Sequence, residues 1–365
     1  MPGGMDLKND VLNNGTCALC GACLDWCPYI KNMEDHLVLR FDCNVPHGRC
    51  YSLCPRTFTD WEEVSNHFLP AIPKDEKIGP YLKVHKVKAS QAIDGQQDGG
   101  TVTHLLKTVL EEELVETVLL TKTDDNIVPQ ALLTNDLTEV EKAAGSRFLA
   151  APSFRKLIDA QLDGTKRMAV VGRPCQIQAV RKWDYFRRPE RDSVDVIGIG
   201  LFCMWSLKWD FQDFLEEEFA GEKVERLVML QDGVKVITDK QTKHISAEEL
   251  GPYTRPEGCN YCLDMTSELA DISVGALEIE PGWNTVIIRT NKGQELFDKA
   301  VEKGYLVVED YPEDELNRLK DASLGKKVRS FKHIMEAETR GVKPFIDLNS
   351  GEYAPIRKLA EGMVE

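Results

Sequence analysis

Beyond about residue 80, the chain alternates between short apolar runs and stretches whose apolar residues recur every three or four positions. The runs at residues 115–121, 167–172 and 194–203 are rich in Val, Leu and Ile, which predicts buried strands. After a glycine pair, the spacing of apolar residues over 105–110 predicts an amphipathic helix. Because strands and helices alternate, we expect an α/β domain with a largely parallel or mixed sheet.

Several further stretches continue this pattern. They predict strands at 81–89, 271–275 and 285–290, a hairpin at 225–237 that turns at Asp232-Gly233, and helices at 154–162 and 294–303. Residues 312–365 are charged and partly helical in pattern, and they show little sign of chemistry.

The first 64 residues are different, because seven of the eleven cysteines lie within residues 17–54. A unit of this size has little apolar core, so bound metal would serve as its core. Residues 65–80 contain three prolines and several charges, which is typical of a linker. We therefore predict a small ferredoxin-like α+β domain at 1–64, a linker at 65–80, a larger domain at 81–345 and a tail at 346–365.

The first four cysteines have the C-x2-C-x2-C-x3-C spacing, followed by proline, that holds cubane iron–sulfur clusters. Three thiolates two residues apart reach one cube, whereas the fourth reaches a neighbouring cluster. By analogy with two-cluster ferredoxins, one 4Fe-4S cluster is predicted on Cys17, Cys20, Cys23 and Cys54. Zinc is the alternative, although four-cysteine zinc sites usually show two separated pairs.

The second half of the repeat departs from this spacing. Counting back from Cys54, Cys50 keeps the register, but His47 stands where a cysteine is expected. A second 4Fe-4S cluster is predicted on Cys27, Cys43 and Cys50. His47 is either its fourth ligand, which would raise the reduction potential, or an ordinary loop residue beside a three-cysteine, water-completed or absent site.

Composition narrows the class of protein. The chain has 365 residues, 42% of them hydrophobic and 29% charged, as in ordinary globular proteins. Its formal net charge of −15 makes nucleic acid an unfavourable partner. We expect no membrane span and no export signal. Eleven cysteines without an export signal indicate a reducing, cytoplasmic location and metal ligation in place of disulfides.

Four cysteines remain outside the N-terminal unit, and each lies beside a glycine or proline near a strand end or in a C-x2-C knuckle. They could converge on a third cluster, the knuckle could bind zinc, or the first two could be small buried hydrophobes. These residues are Cys175, Cys203, Cys259 and Cys262.

The glycine pair before the first predicted helix is a second candidate site. Gly99 and Gly100 would let the backbone approach a ligand, and the helix N-terminus favours a phosphate. On these residues alone, a simple turn is the favoured explanation of the pair.

Six short motifs in order give the chain a resemblance to the family of coenzyme F420 hydrogenase/dehydrogenase beta subunits over about residues 81–300. With its N-terminal cysteines, the chain looks most like the input subunit of F420H2 dehydrogenase complexes. Arg173 departs from the family pattern, which often has a small polar residue there. The motifs are Gln97-Asp98-Gly99-Gly100, Gly145-Ser146-Arg147-Phe148, Val171-Gly172-Arg173-Pro174-Cys175-Gln176, Gly200-Leu201-Phe202-Cys203, Gly258-Cys259-Asn260-Tyr261-Cys262 and Asp271-Ile272-Ser273-Val274-Gly275.

The resemblance implies an FAD in the α/β domain and a third 4Fe-4S cluster on the four later cysteines. Reduced F420, the implied substrate, donates hydride, whereas clusters accept single electrons, so a flavin would stand between them. The implied FAD contacts are Gln97, Gly99, Gly100, Thr101, Ser146 and Arg147, with Thr285 and Arg289 as weaker candidates.

The resemblance further implies an oxidoreductase subunit that exchanges electrons with a partner protein, without nucleic acid or a direct membrane span. The partner would belong to a hydrogenase, formate dehydrogenase, heterodisulfide reductase-like or membrane-bound electron-transport complex. The alternatives are a flavin and iron–sulfur subunit using NAD(P)H, ferredoxin or a partner dehydrogenase as donor, a relay with clusters only, and a reductase of tetrapyrroles or other organic substrates.

Overall fold

The computed structural model describes residues 2–70, 72–123, 127–186, 194–230, 232–277 and 280–362. Over these residues the chain forms fifteen strands. They are β1 Ile30–Met33, β2 His36–Leu39, β3 Lys74–Asp75, β4 Gly79–Pro80, β5 Lys83–Ala89, β6 Thr117–Thr123, β7 Pro129–Thr134, β8 Arg167–Gly172, β9 Asp195–Leu201, β10 Val224–Leu230, β11 Gly233–Thr238, β12 Thr242–Ser246, β13 Ile272–Gly275, β14 Asn284–Ile288 and β15 Leu306–Asp310.

The same residues form twelve α-helices, three 3-10 turns (Ser153–Lys156, Gly251–Tyr253 and Gly351–Tyr353) and a π-helical turn at Lys8–Leu12. None of the described helices is long and apolar enough to cross a membrane. The α-helices are α1 Gly4–Leu7, α2 Arg49–Leu53, α3 Trp61–Phe68, α4 Thr101–Glu111, α5 Leu137–Lys142, α6 Leu157–Leu162, α7 Pro174–Phe186, α8 Asp210–Glu218, α9 Ala247–Leu250, α10 Asn291–Glu302, α11 Glu313–Thr339 and α12 Ala354–Glu361.

An eight-stranded mixed sheet forms the centre of the molecule, in the order β15-β5-β14-β13-β9-β8-β6-β7. Its inner strands β13, β9, β8 and β6 are parallel to one another, and the remaining neighbours are antiparallel. The predicted α/β architecture with a mixed sheet is therefore confirmed. Because β8 and β9 are parallel, the segments that follow them leave the sheet on the same side, at the carboxyl ends of the strands, where open α/β sheets bind ligands.

Helices cover both faces of this sheet, because successive strand residues point to opposite sides. Val118 of β6 packs in a core with Leu105 of α4 on one face. The next residue, Leu119, packs with Phe154 and Ile177 on the other face. This two-sided burial explains why the strands are continuous apolar runs in the sequence.

The N-terminal segment packs onto the α7 face of the sheet. It contains the β1–β2 hairpin and helices α1 to α3. Leu53 and Val64 from this segment share an apolar core with Phe154 and Ile177 of the α/β part. The predicted domain boundaries remain a prediction, but the two parts are joined by a common core.

Two smaller parts complete the fold. Strands β10, β11 and β12 form a separate antiparallel sheet, as the predicted hairpin required, although Gln231 in its turn lies outside the described residues. Helix α11 is 27 residues long and packs against α12, with Phe331 and Ile356 in their shared core. Through α11, the C-terminal region returns to the middle of the molecule.

Candidate functional site

The first thiol group, which we define as Cys17, Cys20, Cys23 and Cys54, is gathered at the contact between the N-terminal segment and the sheet. Burial raises the pKa of Cys20, and the neighbouring charges of Cys54, Cys175 and Cys17 raise it further. Burial also raises the pKa of Cys54 to about 11, with Cys17 adding to the effect. The four predicted ligands of one cluster therefore lie within electrostatic range of one another.

The loop of the first thiol group is packed tightly against the knuckle that carries two of the later cysteines. Gly258 has a φ of +66°, and a Cβ built on it would lie 2.4 Å from the carbonyl oxygen of Cys17. Arg255 donates to the same oxygen at 3.0 Å. The sequence pattern does not reveal this contact, because 241 residues separate the two loops.

The second thiol group consists of Cys27, Cys43 and Cys50. Burial raises the pKa of Cys50 to about 11, and the charges of Cys27 and Cys43 contribute to the rise. His47 is exposed and has a φ of +62°, so it occupies a left-handed turn. This exposed position gives no support to His47 as the fourth ligand, so the second thiol group consists of its three cysteines.

The third thiol group consists of Cys175, Cys203, Cys259 and Cys262. Cys175 lies in the first turn of α7, Cys203 follows β9, and the other two belong to the knuckle. Burial raises the pKa of Cys203 to about 12, with the charges of Cys259 and Cys175 adding to it. Four cysteines from three separate segments thus meet at one place.

Three cations lie around the third thiol group, and the sequence did not identify them as part of the site. Lys326 and Arg56 are buried, and Arg173 is partly buried. Lys326 Nζ donates to the carbonyl oxygens of Cys203 (2.6 Å) and Asp264 (2.8 Å). Arg173 interacts electrostatically with Cys175, Cys203 and Cys259, and Arg56 interacts with Cys262 and Cys175.

These cations offset the cost of burying thiolates. Although burial, the largest influence, would raise the pKa of Cys262, Lys326 and Arg56 outweigh it, and the pKa is lowered. Because Lys326 belongs to α11, residues 312–365, which show little sign of chemistry in the sequence, place a buried cation beside the third thiol group. A lone lysine within a charged helix carries no signal in the sequence.

The donor sets of the first and third thiol groups match a cubane cluster. Each group supplies four cysteines, and a 4Fe-4S cluster takes one thiolate on each of its four irons. Four-cysteine sets also bind zinc, and metal analysis distinguishes the two. Within the described residues, no three His, Cys, Asp or Glu side chains converge closely enough to bind one ion.

The glycine turn before α4 has a geometry that fits a bound anion. Gly100 has a φ of +67°, and α4 begins at Thr101 without a side-chain cap. Asn284 occupies the space where a side chain on Gly99 would lie, 2.5 Å from a built Cβ. The hydroxyl of Thr101 is buried without a hydrogen-bond partner. The backbone N–H of Thr101 donates to Asn284 Oδ1 at 3.3 Å, so the unpaired Thr101 hydroxyl is the donor at this helix N-terminus that fits a phosphate group.

Gln97, Ser146 and Arg147 lie together beside this turn. The Ser146 N–H donates to Gln97 Oε1 at 3.4 Å. Within the part of the chain that the structure describes, Arg147 donates to the carbonyl oxygens of Ser146 and Ala144, and its buried Nε has no partner. Burial lowers the pKa of Arg147. A half-buried guanidinium with carbonyl partners and a spare donor is suited to an anionic ligand.

Arg289 and Thr285, the weaker predicted FAD contacts, are committed to the protein itself. Arg289 is fully buried and donates to Ser273 Oγ (2.8 Å), to the carbonyl oxygens of Ile78 (3.0 Å) and Pro80 (2.7 Å), and to Thr266. Thr285 Oγ1 shares a hydrogen bond with the Tyr311 hydroxyl at 2.8 Å. Both residues therefore hold the fold together, and neither is retained as a cofactor contact.

A cavity of about 720 Å³ lies beside residues 90–95 of the loop that leads to the glycine turn. It is lined by His104, Lys107, Lys303 and Tyr305, among others, and contains none of the predicted FAD contacts. Lys107 pairs with Glu141, and Lys303 pairs with acidic residues of α4 and its C-terminus. With its lysines already paired, the cavity shows no anion site.

Comparison with known proteins agrees with this architecture. The family model described as coenzyme F420 hydrogenase/dehydrogenase, beta subunit N-term, matches residues 84–157, and the corresponding C-terminus model matches residues 165–314. The chain is similar to a structure of the F420-reducing [NiFe] hydrogenase complex from Methanosarcina barkeri, with a TM-score of 0.68 and 26% identity. That match covers 76% of this chain and 99% of the other.

Individual relatives extend the comparison. Coenzyme F420 hydrogenase subunit beta of Methanococcus voltae is 30% identical over 67% of this chain and 90% of its own length. An F(420)H(2) dehydrogenase subunit of Methanosarcina mazei is 29% identical, over 79% of this chain and 83% of its own. Coenzyme F420-dependent sulfite reductase of Methanocaldococcus jannaschii is 28% identical over 97% of this chain, which spans 56% of that protein.

The mixed α/β sheet with clustered thiols at one edge, together with these relatives, defines an oxidoreductase of the kind that works as a subunit of a larger complex. The chain belongs to the family of coenzyme F420 hydrogenase/dehydrogenase beta subunits.

Proposed function

We propose that the chain is an iron–sulfur flavoprotein subunit that exchanges hydride with coenzyme F420 and single electrons with a partner protein. The observation that carries this proposal is the third thiol group, in which four cysteines meet beside three cations, two of them buried. The names of the relatives, which refer to F420 in hydrogenase, dehydrogenase and sulfite reductase, support F420 as the substrate.

FAD, when bound, supplies the exchange between a two-electron hydride and single electrons. Arg147 and the N-terminus of α4 would hold its phosphates, because both offer unpaired donors in a partly buried setting. Gln97 and Ser146 keep Arg147 in place through their mutual hydrogen bond. We assign these residues, with Gly99, Gly100 and Thr101, to cofactor binding and not to proton transfer.

The three thiol groups would hold three 4Fe-4S clusters in a chain. The third group lies next to the first, since Cys175 Sγ is 4.0 Å from the carbonyl oxygen of Ala18. Cys23 of the first group interacts in turn with Cys50 of the second. Electrons would therefore pass between the α/β domain and the surface of the N-terminal unit through the first group. The second group, with three cysteines, is the terminal position.

Iron, sulfide and flavin analysis of one anaerobically purified sample tests this proposal. We expect about twelve irons and one FAD per chain if each cube holds four irons. The variant Cys262→Ser should lose about four irons while the flavin stays, because it affects one cluster alone. A colourless protein that contains zinc would reject the proposal.

The donor is tested separately by following flavin bleaching in stopped-flow experiments with reduced F420, NADH, NADPH and reduced ferredoxin. Rapid bleaching with reduced F420 alone supports the proposed substrate. If another donor alone bleaches the flavin, that donor replaces F420 in the proposal, and the flavin and clusters remain part of it. A sample with clusters and no flavin would indicate an electron relay.

A further inference from the structure

Arg56 lies where the first and third thiol groups meet, and it contacts both. Its backbone N–H donates to Cys54 Sγ at 3.4 Å. Its guanidinium points across the contact, where Nη2 donates to the carbonyl oxygen of Gly258 at 3.3 Å. The same guanidinium is attracted electrostatically to Cys262 and Cys175 of the third group and to Cys54 of the first. One side chain therefore carries its charge to two predicted cluster sites.

The charge of Arg56 is buried, and no carboxylate of the described residues pairs with it. Its side chain is 3% exposed and lies over the ring of Phe345, 5.0 Å from the centroid. Its acceptors in the described chain are the oxygens of Pro55, Gln178 and Gly258. A guanidinium stays protonated in proteins, and a charge in a low-dielectric interior acts strongly on its neighbours. Among the described residues, the anionic partners that could balance it are the thiolates and cluster that these cysteines would hold.

Two buried lysines provide natural comparisons, because each serves a single group. Lys182 Nζ donates to the carbonyl oxygen of Cys54 (2.7 Å) and to the hydroxyls of Thr57 and Thr59 (2.8 Å each). The cysteines that act on it, Cys54 and Cys20, belong to the first group.

Lys326 serves the third group in the same way. It donates to the carbonyl oxygen of Cys203 and interacts with Cys262, Cys203 and Cys259. Lys182 and Lys326 are 1% and 3% exposed, so all three cations are equally buried and differ in the thiol groups they face.

We propose that Arg56 is a positioning residue that raises the reduction potentials of the first and third clusters together. Reduction adds one negative charge to a cluster, and a nearby fixed positive charge favours the reduced form. Because Arg56 acts on both sites, it should raise both potentials together and leave the difference between them nearly unchanged. This inference rests on the proposed function, since it requires that both groups hold clusters.

Redox titrations of the anaerobically purified full-length protein, followed by electron paramagnetic resonance, test the proposal. In Arg56→Gln, the potentials of two clusters should fall, each by at least the ~59 mV that equals a tenfold change in a one-electron equilibrium. Arg56→Lys should restore most of both shifts, because it keeps the charge. Lys182→Met and Lys326→Met identify the signals, since each should lower one potential, that of the first and the third cluster respectively.

The outcomes separate this inference from the function on which it rests. A shift of only one cluster in Arg56→Gln, or of neither, would overturn the shared role while the clusters themselves remain. Loss of iron from Arg56→Lys would mean that the side chain is structural, and this result would also overturn the inference. A wild-type protein without cluster signals would reject the proposed function first.

Discussion

At the scale of single residues, two arginines of the α/β domain use their guanidinium groups for different purposes. Arg289 is fully buried and all its donor nitrogens are bound by protein oxygens. Arg147 is half-buried, with a donor left over. An arginine whose donors are all hydrogen-bonded within the protein holds the chain together, whereas one with an unpaired donor is available to a ligand. The sequence makes both residues candidate cofactor contacts, with Arg289 the weaker one, and their hydrogen-bond partners show how they differ.

This difference predicts opposite effects of the same substitution. Arg289→Met should lower the free energy of unfolding by about 3 kcal/mol or more, because it leaves several buried acceptors unpaired. Arg147→Met should leave stability nearly unchanged and reduce the flavin content. Denaturant unfolding and flavin extraction, carried out on both variants, check the pair. Flavin loss without destabilisation in Arg289→Met would reverse our assignment of the two residues.

A second prediction at this scale concerns Gly258. Gly258→Ala should destabilise the protein and lower its iron content, since the new Cβ would meet the Cys17 carbonyl oxygen at 2.4 Å in a left-handed backbone. Gly164→Ala is a matched control, because its φ is also positive (+77°) but no atom lies within 4 Å of the built Cβ. Equal iron contents in the two variants would contradict the proposed importance of this loop contact.

At the scale of elements, helix α10 packs on the sheet next to a titratable side chain. His85 of β5 stacks on Phe297 of α10, with ring centroids 5.2 Å apart. Burial, together with Lys83, lowers the pKa of His85 below its usual 6.5, although Asp310 and Asp298 oppose the shift. The neutral ring is therefore favoured in the folded chain, and protonation weakens the packing of helix on sheet.

The sign of the pH dependence follows from this shift. Below pH 6.5 the unfolded chain binds a proton at His85 more readily than the folded chain, so stability falls as the pH decreases through this range. His85→Gln should lose less stability than wild type between pH 8 and pH 5.5 in chemical unfolding experiments. Parallel stability curves for the two proteins would show that His85 does not contribute.

At the scale of the whole molecule, the thiol groups form part of the contact that joins the N-terminal segment to the sheet. Arg56 and Lys182 cross this contact to Gly258 and Cys54 respectively. Without an anionic cluster nearby, their charges would remain buried with neutral oxygens as partners, which is unfavourable. Metal binding and the packing of the two parts should therefore depend on each other.

Removal of iron tests this dependence. Anaerobic chelation should lower the midpoint of thermal unfolding and make the contact accessible to protease, with early cleavage in the loops around Cys17 and Gly258. Reconstitution with iron and sulfide should reverse both changes. An iron-free protein with unchanged thermal stability and protease resistance would show that the two parts pack independently of metal.

The sequence by itself determined the strand and helix pattern, the mixed α/β architecture and the cysteines of the C-x2-C-x2-C-x3-C run, because apolar periodicity and ligand spacing are local properties. It could not determine that Lys326 of α11 and Arg56 lie beside the third thiol group. It also could not exclude Arg289 as a cofactor contact. That conclusion depends on the hydrogen bonds that its guanidinium donates to residues such as Ile78 and Thr266. These facts depend on which distant segments the fold brings together, and tertiary packing alone decides that.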